Sequence, residues 1–125
     1  MSEAWPPPAV ATGLTVEQLV FQDGEGVLYR QAFAPAESAR LFAALHRETA
    51  WQQPVIVLYG RSINSPRLSA WHGDPDAVYR YSGLRLEPMP WTPTLLDVRE
   101  RVEALAVTRF NSVLLNLYRD GQDSM

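Results

Sequence analysis

The run Phe110-Asn111-Ser112-Val113-Leu114-Leu115-Asn116-Leu117-Tyr118 constrains this chain more than any other segment. It is rich in Leu and closed by a polar stretch. That predicts a strand over 110–118, apolar enough to be buried on both faces. Asn116 and Tyr118 interrupt it. They stand two residues apart, so an extended backbone points both side chains the same way. Buried polar groups need partners. The pair can hold a ligand carboxylate, or each can satisfy the other. Such a strand also needs neighbours in a sheet and cover for its apolar side.

The rest of the pattern supplies both. Residues 35–49 read as a helix. Pro35 suits its first turn, and Leu41, Phe42 and Leu45, with Ser38 and Ala39 one turn earlier, form the apolar stripe. Residues 94–106 read as a second helix with Thr94 as N-cap. Leu95, Val98, Val102 and Leu105 share one side of it, while Asp97, Glu100, Arg101 and Glu103 lie elsewhere. Strands are expected at 15–21, 27–33, 55–59, 68–72 and 77–82. Turns or loops are expected at 23–26, 60–66, 73–76 and 119–123. Pro88, Pro90 and Pro93 make an irregular connector packed around Trp91. Residues 1–14, rich in Pro and Ala, read as a flexible arm. The fold class is α+β, with one domain's worth of chain over 15–125.

Composition excludes several chemistries. There is no Cys among the 125 residues, so there is no disulfide scaffold, thiolate metal site or thiol nucleophile. Histidine occurs twice, at His46 and His72. The net charge is −3, and all 11 basic residues are Arg. Any affinity for nucleic acid must therefore come from a local arginine surface and not from the global field. The N-terminus lacks the basic and apolar regions of a signal peptide. No run approaches the roughly 18 apolar residues that suggest a membrane span. A soluble cytoplasmic protein is the expectation.

Two further features invite chemistry. Tyr59, Trp71, Tyr79 and Tyr81 interleave with Arg67 and Arg80, a mixture that can stack on bases and neutralise phosphates, or simply pack. His72-Gly73-Asp74 supplies two legs of a two-histidine, one-carboxylate iron triad. It also reads as the start of a turn.

Three blocks taken together point further. They are Pro66-Arg67-Leu68-Ser69-Ala70-Trp71-His72-Gly73-Asp74, Tyr79-Arg80-Tyr81-Ser82-Gly83, and Phe110 through Tyr118 followed by Arg119-Asp120-Gly121. Trp91-Thr92-Pro93 and a helix lie between the last two. In order and spacing they resemble the AlkB family of Fe(II)- and 2-oxoglutarate-dependent dioxygenases, in the branch that repairs alkylated DNA. The resemblance covers residues 50–125 and is weak before them.

It implies an N-terminal nucleotide-recognition region followed by the first strands of an incomplete double-stranded β-helix, or jelly roll. It implies that Asn116 and Tyr118 bind 2-oxoglutarate. It places Tyr79, Tyr81 and Ser82 along the pocket for a flipped-out base, where aromatic faces replace lost stacking. Arg67 and Trp71 fall in the pocket's other wall. Tyr59 matches a finger that some members push into the duplex. His72 becomes a pocket-region residue, and the H-x-D iron reading falls away.

The implied chemistry is oxidative demethylation, in which an N-methyl carbon is hydroxylated and lost as formaldehyde. The implied cofactors are Fe(II) and 2-oxoglutarate. The implied partner is alkylated DNA or RNA, and the implied state is monomeric. The family's first iron histidine would fall about ten residues beyond Tyr118, past Met125, since the metal needs all three ligands of its triad. The resemblance thus implies a chain cut before its metal ligands and inactive by itself. The alternative is a non-catalytic fragment or module that retains a nucleic-acid or protein interaction surface.

Overall fold

The computed structural model describes residues 14–81 and 84–125. The expected arm lies almost wholly outside these residues, as do Ser82 and Gly83. Among the described residues the chain runs β1 (Thr15–Phe21), β2 (Gly24–Arg30), α1 (Pro35–Glu48), β3 (Val55–Leu58), β4 (Arg61–Asn64), β5 (Leu68–Gly73), β6 (Tyr79–Tyr81), β7 (Leu84–Leu86), α2 (Pro93–Ala106) and β8 (Ser112–Leu117). The strands pair antiparallel as β1–β2, β3–β4, β5–β8 and β6–β7. The arrangement is α+β.

The β5–β8 pair is the centre. Its register sets Ser69 opposite Asn116, Ala70 opposite Leu115, Trp71 opposite Leu114 and His72 opposite Val113. Directly opposed residues share a face. Ala70, Leu115 and Val113 therefore lie on one side, where Ala70 and Leu115 join Leu95 of α2 in the buried core. Leu45, Trp51 and Trp91 pack around them, so the connector does fold around Trp91. The other edge of β5 bridges to Gln52 and Met89.

Polar ties fix the helices. Thr94 donates to Glu48 at 2.8 Å, and Arg101 meets Glu37 at 3.0 Å. The N-terminal end of α2 thus lies beside the C-terminal end of α1. Arg101 also covers the Phe33 ring at 4.9 Å. Tyr29 donates its hydroxyl to the Leu105 carbonyl at 3.1 Å, attaching the first hairpin to α2. Glu103, which helical spacing left off the apolar side, is buried and accepts the Phe110 N–H at 2.7 Å.

Several expectations need correction. The N-cap of α2 is Thr92, whose hydroxyl accepts the Leu95 N–H at 3.2 Å, because Pro93 already occupies the first helical position. The buried stripe of α1 is Leu41 with half-buried Ala44 and Leu45, while Ser38, Ala39 and Phe42 face outward. The second strand ends at Arg30 because Gln31 takes a positive φ of 54°. Residues 61–64 are a strand and not a loop. Tyr59 and Gly60, both at positive φ, make a two-residue hairpin turn between β3 and β4. A bulky Tyr is an unusual choice there, which hid the turn in the sequence. The connector before Trp91 contains β7. Finally, β8 is not covered on both sides. Leu114 and Asn116 are exposed, since α2 covers only the Ala70–Leu115 side.

Candidate 2-oxoglutarate and base site

The uncovered face of β5–β8 carries Ser69, Trp71, Leu114 and Asn116. Asn116 Oδ1 accepts from Ser69 Oγ at 3.3 Å and from Arg67 Nε at 3.2 Å. With its oxygen taken by two donors, the amide turns its NH₂ elsewhere, and that group has no hydrogen bond shown among the described residues. Tyr118 follows the last strand residue and is 44% exposed. Two donors are thus offered near one end of an open strand face, a set that suits a carboxylate.

Along β5 from Ser69, two residues of strand rise place Trp71 about 7 Å away. Its indole donates to the Ala77 carbonyl at 2.6 Å, and its ring lies 5.1 Å from that of Tyr79 with the planes tilted by 37°. That contact makes the two rings one aromatic platform. The structure therefore brings Trp71 and Tyr79 together and sets Arg67 against Asn116. Tyr81 lies on β6, and Ser82 is outside the described residues. Tyr59 stands fully exposed at the tip of the β3–β4 hairpin, away from any packing.

His72 is buried at 4% exposure, with Nδ1 2.8 Å from the Pro90 carbonyl. Strand alternation turns it to the packed face, away from Trp71, so it does not line the open site. Its Nε2 is buried and unpartnered. Next to it, Gly73 marks a close approach. A Cβ there would lie 2.6 Å from the Asn111 carbonyl oxygen. Only glycine lets the end of β5 meet the start of β8 so tightly.

Ser69 and the 119–124 loop are the residues that sequence reasoning missed. Ser69 is two positions from Trp71, so alternation alone could have placed the two together; the pairing with Asn116 needed the register. In the loop, the Arg119 guanidinium grips Asp123 at 2.8 Å and 2.9 Å. That hydrogen bonding, with the Arg119 backbone N–H, holds the Asp123 carboxyl down to about 2 and raises the Arg119 pKa. Among the described residues no cluster of three His, Cys, Asp or Glu could hold a metal ion. No helix among them is long and apolar enough to cross a membrane.

Comparison with known proteins gives the family. The DNA oxidative demethylase ALKBH2 of Bos taurus is 38% identical over 98 residues, covering 76% of this chain and 35% of the relative. The human ALKBH2 is 34% identical over 104 residues, covering 81% of this chain and 40% of its own length. The alpha-ketoglutarate-dependent dioxygenase alkB homolog 3 of Homo sapiens is 34% identical over 90 residues, covering 71% and 31%. The chain thus spans less than half the length of the curated relatives it matches. Residues 26–125 match the 2OG-Fe(II) oxygenase superfamily, and with these relatives the chain belongs to that superfamily's AlkB family.

Proposed function

We propose that this chain is the substrate- and 2-oxoglutarate-recognising part of an Fe(II)- and 2-oxoglutarate-dependent dioxygenase that removes N-alkyl groups from bases in DNA. The observation that carries the proposal is the open face of β5–β8. The strand pair presents a donor amide, fixed by Ser69 and Arg67, on the same face as Trp71, against which Tyr79 of β6 packs. A carboxylate cosubstrate and a flat base need such groups side by side. The relatives, named as DNA oxidative demethylases and alpha-ketoglutarate-dependent dioxygenases, support the same reading.

The donor set fits 2-oxoglutarate. Asn116 holds one carboxylate oxygen with its NH₂ and Tyr118 adds its hydroxyl. The fit of iron is different, because the described residues offer no three-ligand cluster. When bound, Fe(II) and 2-oxoglutarate supply the oxidising power that hydroxylates the N-methyl carbon. The chain's own work is recognition. Trp71 and Tyr79, with Tyr81 and Ser82 following on the same segment, receive the extruded base. Methylation at a ring nitrogen gives the base a positive charge, which electron-rich rings favour. Tyr59 at the hairpin tip fills the gap in the duplex, offsetting part of the unstacking cost. In this reading β5 and β8 are the opening strands of the jelly roll.

The test is repair of an oligonucleotide carrying N1-methyladenine or N3-methylcytosine, with Fe(II), 2-oxoglutarate and oxygen. Formaldehyde release that requires 2-oxoglutarate is expected from the intact protein. Binding of neither 2-oxoglutarate nor methylated DNA would overturn the proposal.

A further inference from the structure

The loop after β8 is held more firmly than its polar, exposed sequence suggests. Arg119 closes on Asp123 through Nε at 2.8 Å and Nη2 at 2.9 Å, and its backbone N–H donates to the same carboxylate at 2.8 Å. The Gln122 N–H donates to Asp120 at 2.8 Å within the same turn. Two-point guanidinium–carboxylate pairs fix geometry as well as charge. The closed loop delivers Ser124 to the start of β5. Its N–H donates to the Pro66 carbonyl at 2.8 Å, and its carbonyl accepts from Arg67 Nη1 at 3.2 Å. The same guanidinium, through Nε, reaches Asn116 Oδ1 at 3.2 Å.

A continuous path therefore runs from Asp123 through Arg119, the loop, Ser124 and Arg67 to Asn116. An arginine at the edge of an open face has wide rotamer freedom, and ordering it is costly. Here it is held at two points, with the Ser124 carbonyl at one nitrogen and the Asn116 amide oxygen at another. Without Ser124 the guanidinium loses one of those anchors. Its bond to Asn116 Oδ1 is then held at one point only, and the Asn116 amide relies more on the longer bond from Ser69 to define which way it faces.

We propose that the Arg119–Asp123 pair is a positioning device. It folds 119–124 into a bracket that seats Arg67 on Asn116 and so presents the Asn116 NH₂ to the carboxylate of 2-oxoglutarate. This rests on the assignment of Asn116 as a 2-oxoglutarate ligand. Arg119 and Asp123 need not touch the cosubstrate. Groups that orient a ligand-binding side chain commonly matter by one or two orders of magnitude in affinity or activity.

The experiment is a double-mutant cycle read by calorimetric titration of 2-oxoglutarate into the protein at fixed metal concentration. D123N is expected to weaken 2-oxoglutarate binding roughly tenfold, by analogy with the loss of other orienting partners. In an N116A background the same change is expected to add less than about twofold, because its effect passes through Asn116. A second readout needs no cosubstrate: in D123N the Asn116 side-chain amide resonance should shift and broaden. Wild-type affinity in D123N, or an equal penalty with and without Asn116, overturns the proposal. If N116A itself leaves affinity unchanged, the assignment of Asn116 fails first and the bracket's role falls with it. Should D123N fail to fold, R119K keeps the charge while losing the two-point grip. It is expected to cost about threefold by the same reasoning, and no loss in R119K overturns the proposal.

Discussion

The two faces of the β5–β8 pair are built from alternate residues of the same short strands, yet they do opposite work. One face presents Ala70, His72, Val113 and Leu115 to α2 and the tryptophans. The other carries half-buried Ser69 and Trp71, the latter packed on Tyr79, and exposed Leu114 and Asn116. A one-residue slip in register would exchange them. The lesson is that stability and recognition are separated by strand alternation, so mutations on neighbouring positions should give contrasting phenotypes.

The largest effect should come from the packed face. Leu95→Ala or Leu115→Ala is expected to lower the unfolding free energy by about 2–4 kcal/mol, since each leaves a cavity in a small core. Denaturant unfolding would show it, and a loss under 1 kcal/mol would break the division of labour. Gly73→Ala should cost about 1–3 kcal/mol, because the new methyl would meet the Asn111 carbonyl oxygen, just before β8, at 2.6 Å.

Asn116→Ala should cost less than about 1 kcal/mol of stability, since it is exposed and its bonds exchange readily for water. Binding of 2-oxoglutarate should nonetheless fall sharply. A fold as damaged as that of Leu115→Ala would erase the contrast. Tyr59→Asn should raise stability by about 0.5 kcal/mol, because Asn tolerates the positive φ that Tyr59 adopts at 51°. The same change should reduce affinity for methylated duplex DNA, as measured by fluorescence anisotropy. A residue that is strained and fully exposed yet indifferent to DNA would refute the finger role.

The smallest effect concerns pH. The Asp123 carboxyl is held down to about 2 from 3.8 by Arg119. A lowered acid contributes its stabilisation fully above its unfolded value and loses it as pH falls through the folded one. The loop contacts should therefore persist down to about pH 4 and disappear toward pH 2. The carboxyl carbon shift of Asp123 would follow this, and a midpoint near 4 would show the ion pair absent in solution.

Both helices and most strands were legible in the sequence, because local signals encode them. Proline at a helix start, apolar spacing and strand alternation act over a few residues. The residues missed were those whose role depends on distant partners. The β3–β4 turn was hidden because Tyr59 takes a conformation that Gly or Asn would normally announce. Ser69 and Arg67 meet Asn116 only because β5 and β8, over 40 residues apart in the chain, pair in one register. The resemblance implies a pocket-region role for His72; alternation on a strand with one covered face sends it the other way.

The sequence by itself determined the α+β class and the family, since each is carried by residue type and short spacing. Only the tertiary structure decided which strand face is covered. It also decided that Arg67 belongs with Asn116 and that the Arg119–Asp123 loop reaches the same amide. The physical reason is that side-chain direction along a strand is local, whereas register and cover come from packing between segments far apart in the chain.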